Sequence, residues 1–227
     1  MIEVAHRNNI PVTAHNGSPA AGDDALSQGI DGFEHGYFLK TKQLQEMKEK
    51  GVWLVPTITV SQPAAHEFYR RKNMPAWYID KVKSVSHEHW AMLVQAIKLG
   101  VPIALGTDQD PFEANEGTTA TIREAELYVD AGMTPLAALR SATSKAAEML
   151  RLTDDIGSLR VGRFADIVAV RENPLKNIGA LRTIHFVMKG GQVVGKTTAK
   201  AEHPVERPLK PSDILATVYR VMGIDPA

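Results

Sequence analysis

The first 150 residues alternate between short apolar runs that end in polar side chains and amphipathic stretches with helical spacing. This alternation limits the fold more than any other feature. A strand followed by a helix, repeated, returns each new strand parallel to the last, with crossover helices on the outside. Residues 10–15, 30–35, 52–56 and 101–105 read as the strands, the first of them buried. Residues 23–28 read as a short helix closed by Gly29, and Thr41 and Gly51 read as the start and stop of a helix over 42–50. Residues 57–76 read as a long loop, and 78–99 as a long helix ending at Gly100. Two further helices follow a polar loop at 109–118. The second is capped by Thr134, with Pro135 in its first turn. A closed eight-stranded barrel needs about 250 residues, so four strands in 150 residues give half a barrel or a four-stranded open sheet.

After Leu152 the texture changes to short antiparallel β. Residues 165–170 and 183–188 read as strands, and Gly190-Gly191 is a tight turn before Gln192-Val193-Val194. Pro204, Pro208 and Pro211 mark a linker, and residues 212–222 read as a last amphipathic helix. Lys plus Arg and Asp plus Glu each number 26, so the formal net charge is zero. That balance lacks the basic face of a nucleic-acid binder. No apolar run reaches membrane-spanning length, so no membrane partner is expected. The first nine residues carry Glu3, His6 and Arg7 and show no signal peptide, which leaves a cytoplasmic location as the default expectation. The chain has no cysteine, which excludes disulfides, cysteine-ligated metal centres and thiol nucleophiles.

Three candidates for chemistry share one address. His15 ends the first strand, His35 ends the second, and Asp108 follows the fourth. In parallel α/β proteins, ligands and catalytic groups sit at the C-terminal ends of strands. Imidazole and carboxylate together suit a divalent metal such as zinc, manganese, iron or nickel, and an Asp there can act as a general base on metal-activated water. A lone strand-end histidine serves as readily as a partner for a loop carbonyl. His87 and His89 lie two apart on a helix and so diverge. They read, with His6, His66, His185 and His203, as structural or solvated. Glu34 precedes His35 and by alternation faces the other side of its strand.

The runs Val12-Thr13-Ala14-His15, Phe33-Glu34-His35-Gly36 and Leu105-Gly106-Thr107-Asp108 resemble the second half of an amidohydrolase-superfamily enzyme of the imidazolonepropionase-like and prolidase-like kind. Val55-Pro56-Thr57 and Ala131-Gly132-Met133-Thr134-Pro135-Leu136 fit the same resemblance, as does Ile156-Gly157-Ser158-Leu159 with Gly162-Arg163-Phe164-Ala165-Asp166. It covers about residues 1–195. It implies a partial TIM-like (β/α) barrel over residues 1–152, a small β-sandwich remnant over 153–196, and a linker with a terminal helix over 197–227. It also implies metal ligation by His15, His35 and Asp108, with zinc first among the divalent ions and one or two ions in the completed site. Asp108 would move the proton in hydrolysis of an amide, dipeptide or cyclic amide by metal-activated water.

The resemblance also implies a His-x-His pair and a carboxylated lysine, and both would lie before Met1. The visible ligand set is therefore partial. Four strands of a barrel would leave open edges that invite self-association. The alternative is a catalytically inactive half-barrel that serves as an assembly or binding module. A complete small non-metal enzyme fits poorly, because no phosphate loop or nucleophile elbow is present. Residues 211–226 resemble the C-terminal segment of sulfatase-like secreted proteins; read from residues alone, they form an amphipathic docking helix.

Overall fold

A computed structural model describes residues 1–109, 114–197 and 204–206. The chain divides into two compact units, Met1–Thr153 and Asp154–Ala227. The first begins with helix α1 (Ile2–Arg7), strand β1 (Thr13–His15), α2 (Pro19–Ser27), β2 (Gly32–Glu34), α3 (Thr41–Lys50) and β3 (Trp53–Val55). A 3-10 turn (Ile58–Ser61), α4 (Pro63–Arg71) and α5 (Ala76–Leu99) follow. A two-residue hairpin pair, β4 (Ala114–Asn115) and β5 (Thr118–Thr119), precedes α6 (Ala120–Asp130), α7 (Pro135–Ser141) and α8 (Ser144–Met149).

The expected α/β alternation is present, and β1, β2 and β3 pair in parallel in sequence order. The fourth expected strand contracts to a single parallel bridge, Ile103 to Leu54. Pro102 has no N–H to donate to a ladder, which limits pairing there. Residues 57–76 are not a loop. Gln62 sits extended ahead of Pro63, whose fixed φ starts α4, so the segment folds as a 3-10 turn and a helix. The helix expected after Thr134 breaks at Ala142–Thr143 into α7 and α8. The helix assigned to residues 212–222 lies outside the described residues.

Register gives the sheet two faces. Ala14, Phe33 and Leu54 are cross-strand neighbours on one, and Thr13-Gly32-Trp53 with His15-Glu34-Val55 line the other. Phe33 and Leu54 are fully buried, together with Leu44 and Met47 of α3 and Met92, Leu93 and Ala96 of α5. Helix α3 packs on both α2 and α5, so this side is the core. The other face is open at β1, where Thr13 and His15 are exposed. The first strand is therefore shorter and less buried than its apolar sequence suggests, because β2 is its sole neighbour among the described residues.

The second unit is an antiparallel sheet of β6 (Ile167–Val170), β7 (Ile184–Lys189), β8 (Gln192–Thr197) and β9 (Pro204–Glu206), with a 3-10 turn at Ile178–Arg182. Gly190 and Gly191, both with positive φ, make the two-residue turn between β7 and β8. The Asp166 carboxylate accepts the Gly190 N–H at 2.7 Å, which fixes that turn.

Candidate metal centre

The C-terminal ends of β1 and β2 bring His15 and His35 together. Nδ1 of His15 lies 2.7 Å from Nε2 of His35, and the rings stack with centroids 4.9 Å apart. His35 can reach its neighbour because its φ is +63°. That left-handed residue ends strand alternation, and its N–H still donates to Val55 O at 2.9 Å. Glu34 consequently does not lie across the sheet from the site, as alternation alone predicts. It is in register with His15, on the open face. Burial raises the Glu34 carboxyl pKa and the nearby Asp108 adds to the rise, while Thr13 and His15 oppose it.

On its other side, His35 Nδ1 lies 2.7 Å from Thr57 Oγ1. Thr57 has φ +49°, a conformation in which a β-branched residue is an outlier. Tyr37 stacks on His35 with centroids 5.2 Å apart and meets the His89 ring edge-on at 4.4 Å. Burial and the charge of Asp108 push the Tyr37 phenol up to about 12. Burial lowers the His35 pKa, with Asp108 pulling the other way, a shift in the direction of the neutral imidazole that a metal requires.

Asp108 is exposed, has φ +52°, and sits in a turn where Thr107 Oγ1 accepts the Gln109 N–H at 3.2 Å. Gly106 allows the close approach that brings this turn to the sheet, since a Cβ there would lie 2.6 Å from Val55 Cγ1. Asp108 influences His35, Glu34 and Tyr37 by charge. Among the described residues, however, no group of three His, Cys, Asp or Glu side chains closes on one point. The histidine pair is formed and Asp108 stands near it.

The pair fits a divalent ion. Two imidazole nitrogens face each other across 2.7 Å, a distance that needs one proton between them. Tetrahedral zinc with bonds of 2.0–2.1 Å needs about 3.3 Å between nitrogens, so a parting of roughly half an ångström exchanges that proton for an ion.

Three contributors to the site have partners that the local sequence does not reveal. His89 is fully buried on α5, not solvated. It diverges from His87 as its spacing requires, and His87 is exposed. Glu124 of α6 is fully buried; its Oε1 accepts the Ile58 N–H at 2.7 Å and its Oε2 the Thr59 N–H at 2.9 Å. Thr57, the third, was visible only within Val55-Pro56-Thr57. Among the described residues no helix is long and apolar enough to cross a membrane.

The Amidohydrolase family profile matches residues 1–194. This chain belongs to the amidohydrolase family. Ochratoxinase of Aspergillus niger is 33% identical over 198 residues, covering 85% of this chain and 40% of that protein. Imidazolonepropionase of Shouchella clausii is 34% identical over 102 residues, 43% of this chain and 22% of its relative. Among solved structures, a Xaa-Pro dipeptidase with methionine bound in its active site superposes with a TM-score of 0.75 at 30% identity, over 85% of this chain and 46% of that one. The chain thus resembles named enzymes, and spans less than half the length of each. The expected kinship to imidazolonepropionase-like and prolidase-like proteins is borne out.

Proposed function

We propose that this chain supplies the His15–His35 part of a divalent-metal site, together with Asp108, for hydrolysis of a carbon–nitrogen bond in a small amide, dipeptide or cyclic amide. The observation that carries the reading is the pair of imidazole nitrogens aimed at one another at the ends of two adjacent parallel strands. A bound ion, zinc being the simplest fit to imidazole and carboxylate, supplies Lewis acidity and lowers the pKa of water. His15 and His35 would hold it, and the Asp108 carboxylate would take a proton from the attacking water and deliver it to the leaving nitrogen. Residues 1–152 are the catalytic part of this reading, a partial (β/α) barrel.

Metal content tests it. Protein purified with zinc and then desalted should retain tightly bound metal by elemental analysis, and His15→Ala or His35→Ala should lose it. Asp108→Ala should abolish hydrolysis with an unchanged circular dichroism spectrum; retained turnover removes Asp108 from the mechanism. One observation favours a second reading. The described residues bring two ligand-type side chains together and no third, as in a module that binds or assembles without catalysis. Protein that retains no metal, or only a fraction of one ion per chain, selects that reading over the first.

A further inference from the structure

Thr57 is the strained link between the sheet and the histidine pair, and both peptide planes that flank it are pinned from inside the protein. On one side, His89 Nε2 lies 2.8 Å from Pro56 O and 3.2 Å from His35 O. Two carbonyl acceptors face that nitrogen, so it carries the proton. His89 Nδ1 is then an acceptor, and the Ser61 hydroxyl lies 2.8 Å from it. On the other side, the Glu124 carboxylate takes the N–H groups of Ile58 and Thr59, one on each oxygen. Rotation about the Thr57 N–Cα bond is resisted by the first set and rotation about its Cα–C bond by the second. Thr57 Oγ1 in turn meets His35 Nδ1. A metal-binding histidine is oriented, and its tautomer chosen, by the partner of its other ring nitrogen.

We infer that His89 and Glu124 are positioning residues, a buried clamp that holds Thr57 in its left-handed conformation so that Thr57 aims His35 Nε2 at His15. The inference rests on the metal-site reading for its consequence and on hydrogen-bond geometry for its existence. The same bonds explain why a positive-φ threonine persists. Such residues survive only where their surroundings over-determine them, and here two peptide planes and the side chain are all engaged. The His89–His35 O contact adds a direct hold on the second left-handed residue of the site.

The experiment is a cobalt(II) titration of the full chain followed by visible absorption, beside histidine-ring nitrogen NMR of the same protein. Loss of the clamp in His89→Leu should weaken cobalt binding roughly 10- to 100-fold, the range for lost outer partners of metal ligands. His89→Gln, which keeps an N–H for the carbonyls, should recover most of that affinity. A folded His89→Leu that binds cobalt like the parent overturns the inference. The ring spectra need no variant to fold. In the unaltered chain His89 should be a single Nε2–H tautomer and His35 a single locked tautomer. A His89 in the Nδ1–H form, or a His35 averaging between tautomers, overturns the clamp. If the unaltered chain takes no cobalt, the metal reading fails, and the ring spectra still decide whether the clamp exists.

Discussion

His35 and Gly36 both occupy the left-handed region, at φ +63° and +72°, and this two-residue break turns the end of β2 into the histidine site. The first costs strain that its bonds to His15 and Thr57 offset; the second is glycine because no side chain fits. A Cβ on Gly36 would lie 2.9 Å from Leu39 Cδ1 and 3.1 Å from Leu54 Cδ1, both buried. Gly36→Ala therefore adds an unfavourable φ to a steric conflict and should destabilise the first unit by about 1–3 kcal/mol. Urea unfolding checks this: the midpoint should fall, and a midpoint equal to the parent's would show that Leu39 and Leu54 yield freely. The same turn defeats the simple rule that successive side chains in a strand point apart. That rule sends Glu34 away from His35, but the left-handed His35 leaves the alternation, and strand pairing sets Glu34 in register with His15.

The elements around the site hold two buried ionisable groups whose effects on stability oppose each other. Burial lowers the His89 pKa to about 4 and raises that of Glu124 to about 7, against the pull of the Thr59 and Ile58 N–H groups. For His89 the unfolded chain binds the proton more readily, so its stabilising effect is full above pH 6.5 and is lost as pH falls toward 4. For Glu124 the folded chain binds the proton more readily, so its effect is full below pH 4.5 and is lost as pH rises through 7. Each amounts to roughly 3 kcal/mol at most, and between pH 4.5 and 6.5 the slopes nearly cancel. Glu124→Gln should expose the His89 slope, with stability falling steeply from pH 6.5 to 4.5 in denaturant titrations. A profile parallel to the parent's would mean that Glu124 does not titrate in this range. Little of this pair could be read from the chain. The strand ends were legible because an apolar run followed by His, or by Gly-Thr-Asp, is a local pattern. His89 meets Pro56 across 33 positions and Glu124 meets Ile58 across 66; helical spacing with Met92, Leu93 and Ala96, and with Ala120, Leu127 and Tyr128, marks both as inward-facing but not what they bond. The segment 57–76 read as a loop because its helix is short and begins at a proline, and the fourth strand read as longer than the bridge at Ile103 because Val101-Pro102-Ile103 is apolar whether or not its backbone pairs.

At the scale of the first unit, the parallel sheet is covered on one face and open on the other at β1. Helices bury Phe33 and Leu54, whereas Thr13 and His15 stand exposed on β1. A parallel sheet is normally covered on both faces, and an unpaired edge strand is a template for another chain. The formal net charge is zero, so no long-range repulsion keeps copies apart near neutral pH. We propose that a second copy covers the open face here, bringing two histidine pairs into one assembly. Light scattering should then give a mass above the 24.8 kDa of one chain. Thr13→Lys puts a charge on the exposed face at little cost to the core and should return the protein to a monomer, whereas His35→Ala, which removes a proposed ligand and leaves the edge, should not. A parent protein that is monomeric at working concentration removes self-association, and with it any completion of the metal site from a second copy. A dimer that survives Thr13→Lys places the contact elsewhere on the chain. The metal count taken on the same samples links the two scales: if dimer and bound metal disappear together in Thr13→Lys, the open face and the half-site are parts of one structure.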